Sequence, residues 1–401
     1  MAGRSRLTMT EMPEAASELL FPELWSENVE HSTGLLPSQK IEELVEAGRI
    51  CGAPILPDQI QPASIDLRLG PVAYRVRASF LPNVHSTVND RLRDLKVEEI
   101  DISAGAVFRK GAVYIVPLLE ELSLPDSIAG SANPKSTTGR LDVFTRLIAD
   151  YADGFDQVGP GYRGRIYAEV VPLTFDVAVR EGTRLNQLRL RRGNPILWDK
   201  TLRELHEREP IVYSRSASPL PPEIEGGLWL SVDLLGTDDS GIVGFQARRD
   251  APPVDLAKVG YYDPRLFWTP VYPDPGKYLV LKPGEFYILT SKEKVAIPPD
   301  WAAEMVAFDP TVGEFRIHYA GFFDPGFGWG GGELKGTHAV LEVRSHEVPS
   351  ALADGQPVCR LTYERLQAPS AKLYGREIGS SYQMQRLALS KQFKPYVGAG
   401  E

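Results

Sequence analysis

A chain of 401 residues, 43% hydrophobic and 24% charged, has the make-up of a globular protein and the length for two domains. A net charge of −9 argues against a general nucleic-acid-binding surface, and no apolar run approaches the roughly 20 residues that span a bilayer. The two cysteines, Cys51 and Cys359, are too few for a disulfide scaffold and read as reduced residues of a cytoplasmic protein.

Residues 1–34 show no periodic pattern and no apolar core of signal-peptide length, and they read as an N-terminal arm. Residues 37–47, "PSQKIEELVEA", place Ile41, Leu44 and Val45 on one helical face, with Gly48 as the stop. From there to 212 short alternating segments are separated by Gly, Pro and Asp turns, the pattern of antiparallel β structure. A second helix is expected at 200–208. Residues 213–227, "YSRSASPLPPEIEGG", read as a linker, and 228–370 resume the strand pattern. Residues 371–401 form a C-terminal arm, with a third helix expected over 381–393.

The chain repeats itself. "GAVYIVPLLEELSLP" (111–125) matches "GEFYILTSKEKVAIP" (284–298), 173 positions further on, and "IYAEVVPL" (166–173) matches "AVLEVRSH" (339–346) at the same offset. Upstream, "PASIDLRLG" (62–70) resembles "LWLSVDLLG" (228–236). Such self-similarity is the mark of a tandem duplication.

"PKSTTGR" (134–140) gathers a lysine, three hydroxyls and an arginine, but it lacks the upstream glycine of a Walker loop. On its own it would be a polar turn in which Gly139 supplies a positive φ. Four motifs in order give it a context: "IQPASIDLRLG" (60–70), "PKSTTGRLDV" (134–143), "PGYRGRIYAEVV" (160–171) and "GTRLNQLRL" (182–190). Together they resemble the dCTP deaminase branch of the trimeric dUTPase-like proteins. The resemblance covers about 35–200 well and 226–366 more faintly.

What the resemblance implies is a mainly β fold of two tandem dUTPase-like distorted β-barrels with a few short helices. It also implies hydrolytic deamination of dCTP to dUTP and ammonia without zinc, in barrels assembled in threes. Replacing the amino group on cytosine C4 needs a water made nucleophilic and a proton delivered to N3 and the leaving nitrogen. One carboxyl can do both if burial raises its pKa. Glu169, inside the apolar "IYAEVV", is the expected base and acid, although alternation would equally allow an outward-facing strand residue. Ser136 and Arg140 match the family serine and arginine beside the water and base. Lys135 and Thr137 belong to the same turn, Lys135 where the family has a basic residue near the phosphates.

The hairpin "DYADGFDQVGPGY" (150–162) corresponds to the one that holds pyrimidine and deoxyribose, with Asp153, Phe155, Asp156 and Tyr162 as candidate contacts. It departs from the usual compact Asp-Pro-Gly-aromatic form. Gln187 matches a glutamine near the phosphates, or serves as a cross-strand polar partner. Tyr374, with Arg376 and Ser381, loosely resembles a C-terminal arm that folds over the triphosphate. In the second copy "FDPTVGE" (308–314) puts Pro310 opposite Ser136 and Glu314 opposite Arg140, so that copy is expected to be noncatalytic, although Glu342 persists opposite Glu169.

No His or Cys pattern supplies the ligands of a zinc deaminase, so no protein-held metal is expected. Magnesium is expected on the triphosphate of dCTP or dUTP. Two rival readings stand beside deamination: a dUTP diphosphatase, alone or combined with deamination, and a noncatalytic nucleotide sensor. The partners expected are dCTP and dUTP, with no nucleic acid and no membrane, in a homo-oligomer, a trimer by the family's symmetry.

Overall fold

The computed structural model describes residues 31–236, 240–306, 315–318 (backbone only), 321–329, 334–345, 348–375, 382 and 385–396. The chain is mainly β, built of small, almost wholly antiparallel sheets with a few short helices. In the first half one sheet runs in the order Lys96–Asp101, Val72–Val76, Val113–Ser123, Arg163–Pro172, Val143–Ala149. In the second half the same order recurs as Trp268–Val271, Gly244–Ala247, Phe286–Val295, Thr337–Ser345, Phe315–His318.

A second sheet repeats as well. Ile65–Arg68, Arg184–Arg192, Ala129–Pro134 and Gln157–Val158 in the first half answer to Leu228–Ser231, Pro357–Arg365, Trp301–Val306 and Phe322–Phe323 in the second. The duplication read from sequence is therefore a repeat of strand order.

The helix expected at 37–47 spans Ser38–Glu46 and buries Ile41, and Gly48 past its end takes φ +66°. A helix at Val88–Leu95 was not anticipated. It starts from a reciprocal cap, with Thr87 Oγ1 accepting from Asp90 N (3.1 Å) and Thr87 N donating to Asp90 Oδ2 (2.9 Å). The helix expected over 381–393 is absent at its described positions, 382 and 385–393. Leu387 and Leu389, two apart, both pack on the first core, which suits an extended segment.

The domain boundary falls earlier than expected. Helix Asp199–Arg208 buries Leu202 and Leu205 in the second core with Ile211, Val212 and Val295, and Val212–Tyr213 pairs with Phe286–Val295. Residues from about 197 to 212 thus belong to the second module, because the amphipathic helix finds its apolar partner there. The stretch 213–227 is a loop of that module, with Ile224 in its core.

The modules share packing. Phe175 of the first meets Phe267 and Trp268 of the second edge-on, with centroids 5.7 and 5.5 Å apart, and Phe393 of the C-terminal segment joins them. Val254–Asp255 adds a parallel strand to Val177–Val179. This common core fixes one module against the other, and the site lies at their junction.

Candidate active site at the module junction

Strand Ala129–Pro134 ends at a proline, and the chain then makes a single helical turn, Ser136–Gly139. Lys135 N and Thr138 Oγ1 both donate to Leu185 O, at 2.8 and 3.0 Å, which ties the turn to the neighbouring strand. Gly139 is helical; the left-handed residue is Asp142, φ +55°. Asp142 tolerates that backbone because its carboxylate is held by Thr174 Oγ1 (2.5 Å) and by Arg344 of the second module. Lys135 Nζ is paired with Asp66, from the "SIDL" strand.

Arg140, at the end of this turn, is buried. Its Nη2 donates to Gln385 Oε1 (2.7 Å), its Nη1 to Ala388 O (3.1 Å), and the guanidinium lies 3.7 Å from the centre of the Tyr382 ring. Its Nε has no hydrogen-bond partner and stands 4.0 Å from Glu342 Oε1. Ser136, Arg140 and Glu342 line one pocket, together with Phe323, Asp324, Tyr374 and Gln385, around a cavity of about 50 Å³. Burial pushes the Glu342 carboxyl up to about 8, against the lowering pull of Arg140. At neutral pH that group is poised to give or take a proton.

Glu169 is not brought to this pocket. It is fully buried in strand Arg163–Pro172, and its Oε1 accepts from Arg146 Nη2 (2.6 Å) and Nε (3.1 Å). Arg146 stacks on Phe155 at 3.4 Å and bonds Ser79 Oγ (2.9 Å). The reason is topological: Ser136 and Arg140 face the second module, so the glutamate that meets them is the second module's.

The other candidates divide the same way. Tyr374 lines the pocket; its ring is 5.4 Å from Phe327, and its hydroxyl accepts from Tyr382 N (3.2 Å). Thr137 Oγ1 lies 3.1 Å from the Tyr382 hydroxyl. Gln187 is buried in strand Arg184–Arg192, opposite Asp66 and Asn133. Asp153 is exposed in its hairpin and Phe155 is taken up by Arg146. Asp156, pushed up to about 7 by burial, accepts from Leu147 N (2.7 Å), and Tyr162 bonds the backbone of Arg165 and Asp150. None of these last four lines the Ser136–Glu342 pocket. Pro310, Glu314, Arg376 and Ser381 lie outside the described residues.

Sequence reasoning missed Glu342's partnership, Tyr382 and Gln385. A signal for the first was present. "DPGF" at 324–327 is the compact Asp-Pro-Gly-aromatic form that the first copy lacks, and Asp324 and Phe327 line the pocket with Glu342.

The fold and site define a class: a duplicated β protein in which a buried carboxyl and guanidinium converge with a half-buried hydroxyl at a junction, as suits hydrolysis of a polar ligand. Residues 32–194 match the family model of the 2'-deoxycytidine 5'-triphosphate deaminase (DCD) N-terminal domain, and 198–393 that of its C-terminal domain. The chain belongs to the 2'-deoxycytidine 5'-triphosphate deaminase family. The crystal structure of 2'-deoxycytidine 5'-triphosphate deaminase from Agrobacterium tumefaciens aligns with a TM-score of 0.80 at 47% identity, covering 84% of this chain and 100% of that one.

A dCTP deaminase of Haloarcula marismortui is 34% identical over 133 residues, 32% of this chain and 65% of the relative. A dUMP-forming dCTP deaminase of Dictyoglomus thermophilum is 27% identical over 157 residues, 38% of this chain and 78% of the relative. The chain spans 56% to 65% of the length of the first three curated relatives it matches.

Proposed function

We propose that the chain deaminates dCTP to dUTP and ammonia, with Glu342 as the proton-transfer group and Ser136 and Arg140 beside it. The observation that carries this reading is the Ser136–Arg140–Glu342 pocket, in which a buried carboxyl is poised near neutrality. As carboxylate, Glu342 takes a proton from water while the oxygen bonds to C4, and passes it to N3. The hydroxyl proton of the resulting adduct then moves through the same carboxylate to the amine. The C4–N bond breaks, ammonia leaves, and C4=O forms with N3 protonated. Ser136 orients the water, and Arg140 offsets charge on the carboxylate.

This assignment moves the general base from Glu169 to Glu342. Glu169 lies outside the Ser136 pocket, and its Oε1 is taken up by two bonds from Arg146, so it has no geometry for reaching the same substrate atoms. The proposal includes no zinc, because the sequence carries no His or Cys pattern that supplies the ligands of a zinc deaminase. Magnesium would enter with the triphosphate, held by phosphate oxygens and water.

Some relatives are named dUMP-forming, so a second reading adds hydrolysis to dUMP. Incubation with dCTP and magnesium, separating dUTP, dUMP, ammonia and pyrophosphate, tests both. Ammonia without pyrophosphate supports the first reading and both products the second. With neither product, a parallel incubation with dUTP separates a diphosphatase, which releases pyrophosphate, from a nucleotide-binding protein without turnover.

A threefold assembly is part of the proposal, on the symmetry of such interfaces. The pocket between modules of one chain lessens the need for it. Light scattering decides: a mass near three times the 44.3 kDa chain supports a trimer, and an active monomer or dimer removes it.

A further inference from the structure

Among the described residues Arg189 is the largest charged side chain that is fully buried, and it sits on a strand of the first module, Arg184–Arg192, between Leu188 and Leu190 in the core. A lone buried guanidinium is costly, so its partners show what it is for. All of them are in the second module. Nη1 donates to Ala303 O (3.0 Å) and to Glu364 Oε2 (2.9 Å). Nη2 donates to Phe323 O (2.9 Å) and, at 3.4 Å, to Asp324 Oδ1. The guanidinium also covers the Phe322 ring at 4.0 Å.

One end of this planar fork holds two neighbouring strands, Trp301–Val306 and Pro357–Arg365. The other end holds three consecutive residues, Phe322, Phe323 and Asp324, all of which line the pocket of Ser136, Arg140 and Glu342. Burial pushes the carboxyls of Asp324 and Glu364 up, and Arg189 pulls both back down.

We infer that Arg189 is a positioning residue for deamination: it sets the height and tilt of the Phe322–Asp324 hairpin over the reacting base. The inference rests on the reading of this pocket as the dCTP site. A lysine at 189 keeps the charge but cannot span both ends of the hairpin's support, because one ammonium replaces a rigid five-donor fork. The second copy offers no equivalent, since the position 173 residues on is Thr362. The clamp therefore runs one way, from the first module onto the second module's half of the pocket.

The test compares the full-length chain with Arg189→Lys and Arg189→Met, by dCTP kinetics and by amide hydrogen exchange. Arg189→Lys is expected to lower kcat/KM by about 10–100-fold, mainly through KM, with the pH dependence of kcat unchanged. Exchange is expected to speed up at residues 321–329 and to stay unchanged in strand Val113–Ser123. Kinetics within twofold of wild type would overturn the inference, as would faster exchange spread evenly over both modules, which marks mere loss of stability. Should Arg189→Met fail to fold, Arg189→Lys carries both readouts. A wild-type chain that does not deaminate dCTP overturns the function, and the exchange pattern alone then decides the clamp.

Discussion

Arg140 and Glu342 come from opposite modules and meet with Nε and Oε1 4.0 Å apart, both buried. Neither copy of the duplicated unit holds this pair alone. Glu342→Gln should abolish deamination while dCTP binding persists, because the amide keeps the shape and loses the transferable proton. General acid–base catalysis is worth about 10²–10⁴-fold, and a group serving as both base and acid sits at or beyond the upper end. Glu169→Gln should leave kcat within about tenfold, its effect limited to packing around Arg146. Ammonia release by the two variants checks the assignment, and the opposite ranking would return the catalytic role to Glu169.

Titration of Glu342 should appear in the rate. With the carboxyl pushed up to about 8 and the carboxylate as the form that activates water, log kcat/KM should rise with pH and level off near 8. A plateau beginning near pH 5 would contradict the buried environment seen here.

The same group bears on stability, with a definite sign. A carboxyl raised from 4.5 to about 8 leaves the folded state holding a proton that the unfolded state has lost. Between those values stability falls as pH rises, on the order of 5 kcal/mol in all. Asp156, also raised, adds to the slope up to about pH 7. Denaturant midpoints from pH 5 to 8 should therefore decline, and Glu342→Gln should flatten the decline relative to wild type. An unchanged slope would place Glu342 in a wetter site.

The repeated strand order was legible because each strand carries a local pattern, such as the Tyr-Ile cores at 114–115 and 287–288. The site was legible by residue type but not by pairing. Ser136, Arg140 and Glu169 lie close in sequence and were read as one constellation, whereas partnership is set by which faces of two modules pack. Sequence distance carries no information on that. The helix expected over 381–393 gives way for a different reason: the segment is held open by bonds from Arg140 to Ala388 O and from Ser390 Oγ to Thr137 O. Tertiary partners outweighed local propensity there.

Tyr382 holds the arm shut over Arg140, and its two contributions can be separated. Its ring lies 3.7 Å from the guanidinium carbon, and its hydroxyl sits 3.1 Å from Thr137 Oγ1 and accepts from Lys391 N at 3.3 Å. Tyr382→Phe keeps the ring and should change dCTP affinity by less than about threefold, the size of a partly exposed hydrogen bond. Tyr382→Leu removes the cation–π contact, worth about 0.5–2 kcal/mol, and should weaken affinity by about 2–30-fold. Titration of dCTP into both variants on the Glu342→Gln background reads this directly. Equal losses would assign the effect to the hydroxyl.

A buried pair remote from the chemistry provides the contrasting case. Glu120 is fully buried and accepts from Arg68 Nε (2.7 Å), Arg68 N (2.8 Å) and Gln59 Nε2 (2.9 Å), fastening the "SIDLRL" strand to strand Val113–Ser123. Glu120→Ala would leave the Arg68 guanidinium uncompensated, which typically costs about 3–5 kcal/mol. In a module of this size that is a fall in Tm of about 10 °C or more. Glu120→Gln keeps the shape and one acceptor oxygen, which can still take Arg68 Nε and Gln59 Nε2 but sets its amide N–H against Arg68 N–H, so its loss should be smaller than alanine's without vanishing. Neither Glu120 nor Arg68 lines the Ser136–Glu342 pocket, so kcat at 25 °C, per folded chain, should stay within about twofold of wild type. Differential scanning calorimetry beside an ammonia-release assay separates the two effects. A large loss of kcat with unchanged Tm would show that this strand, through Asp66 and Lys135, governs the reaction rather than the fold.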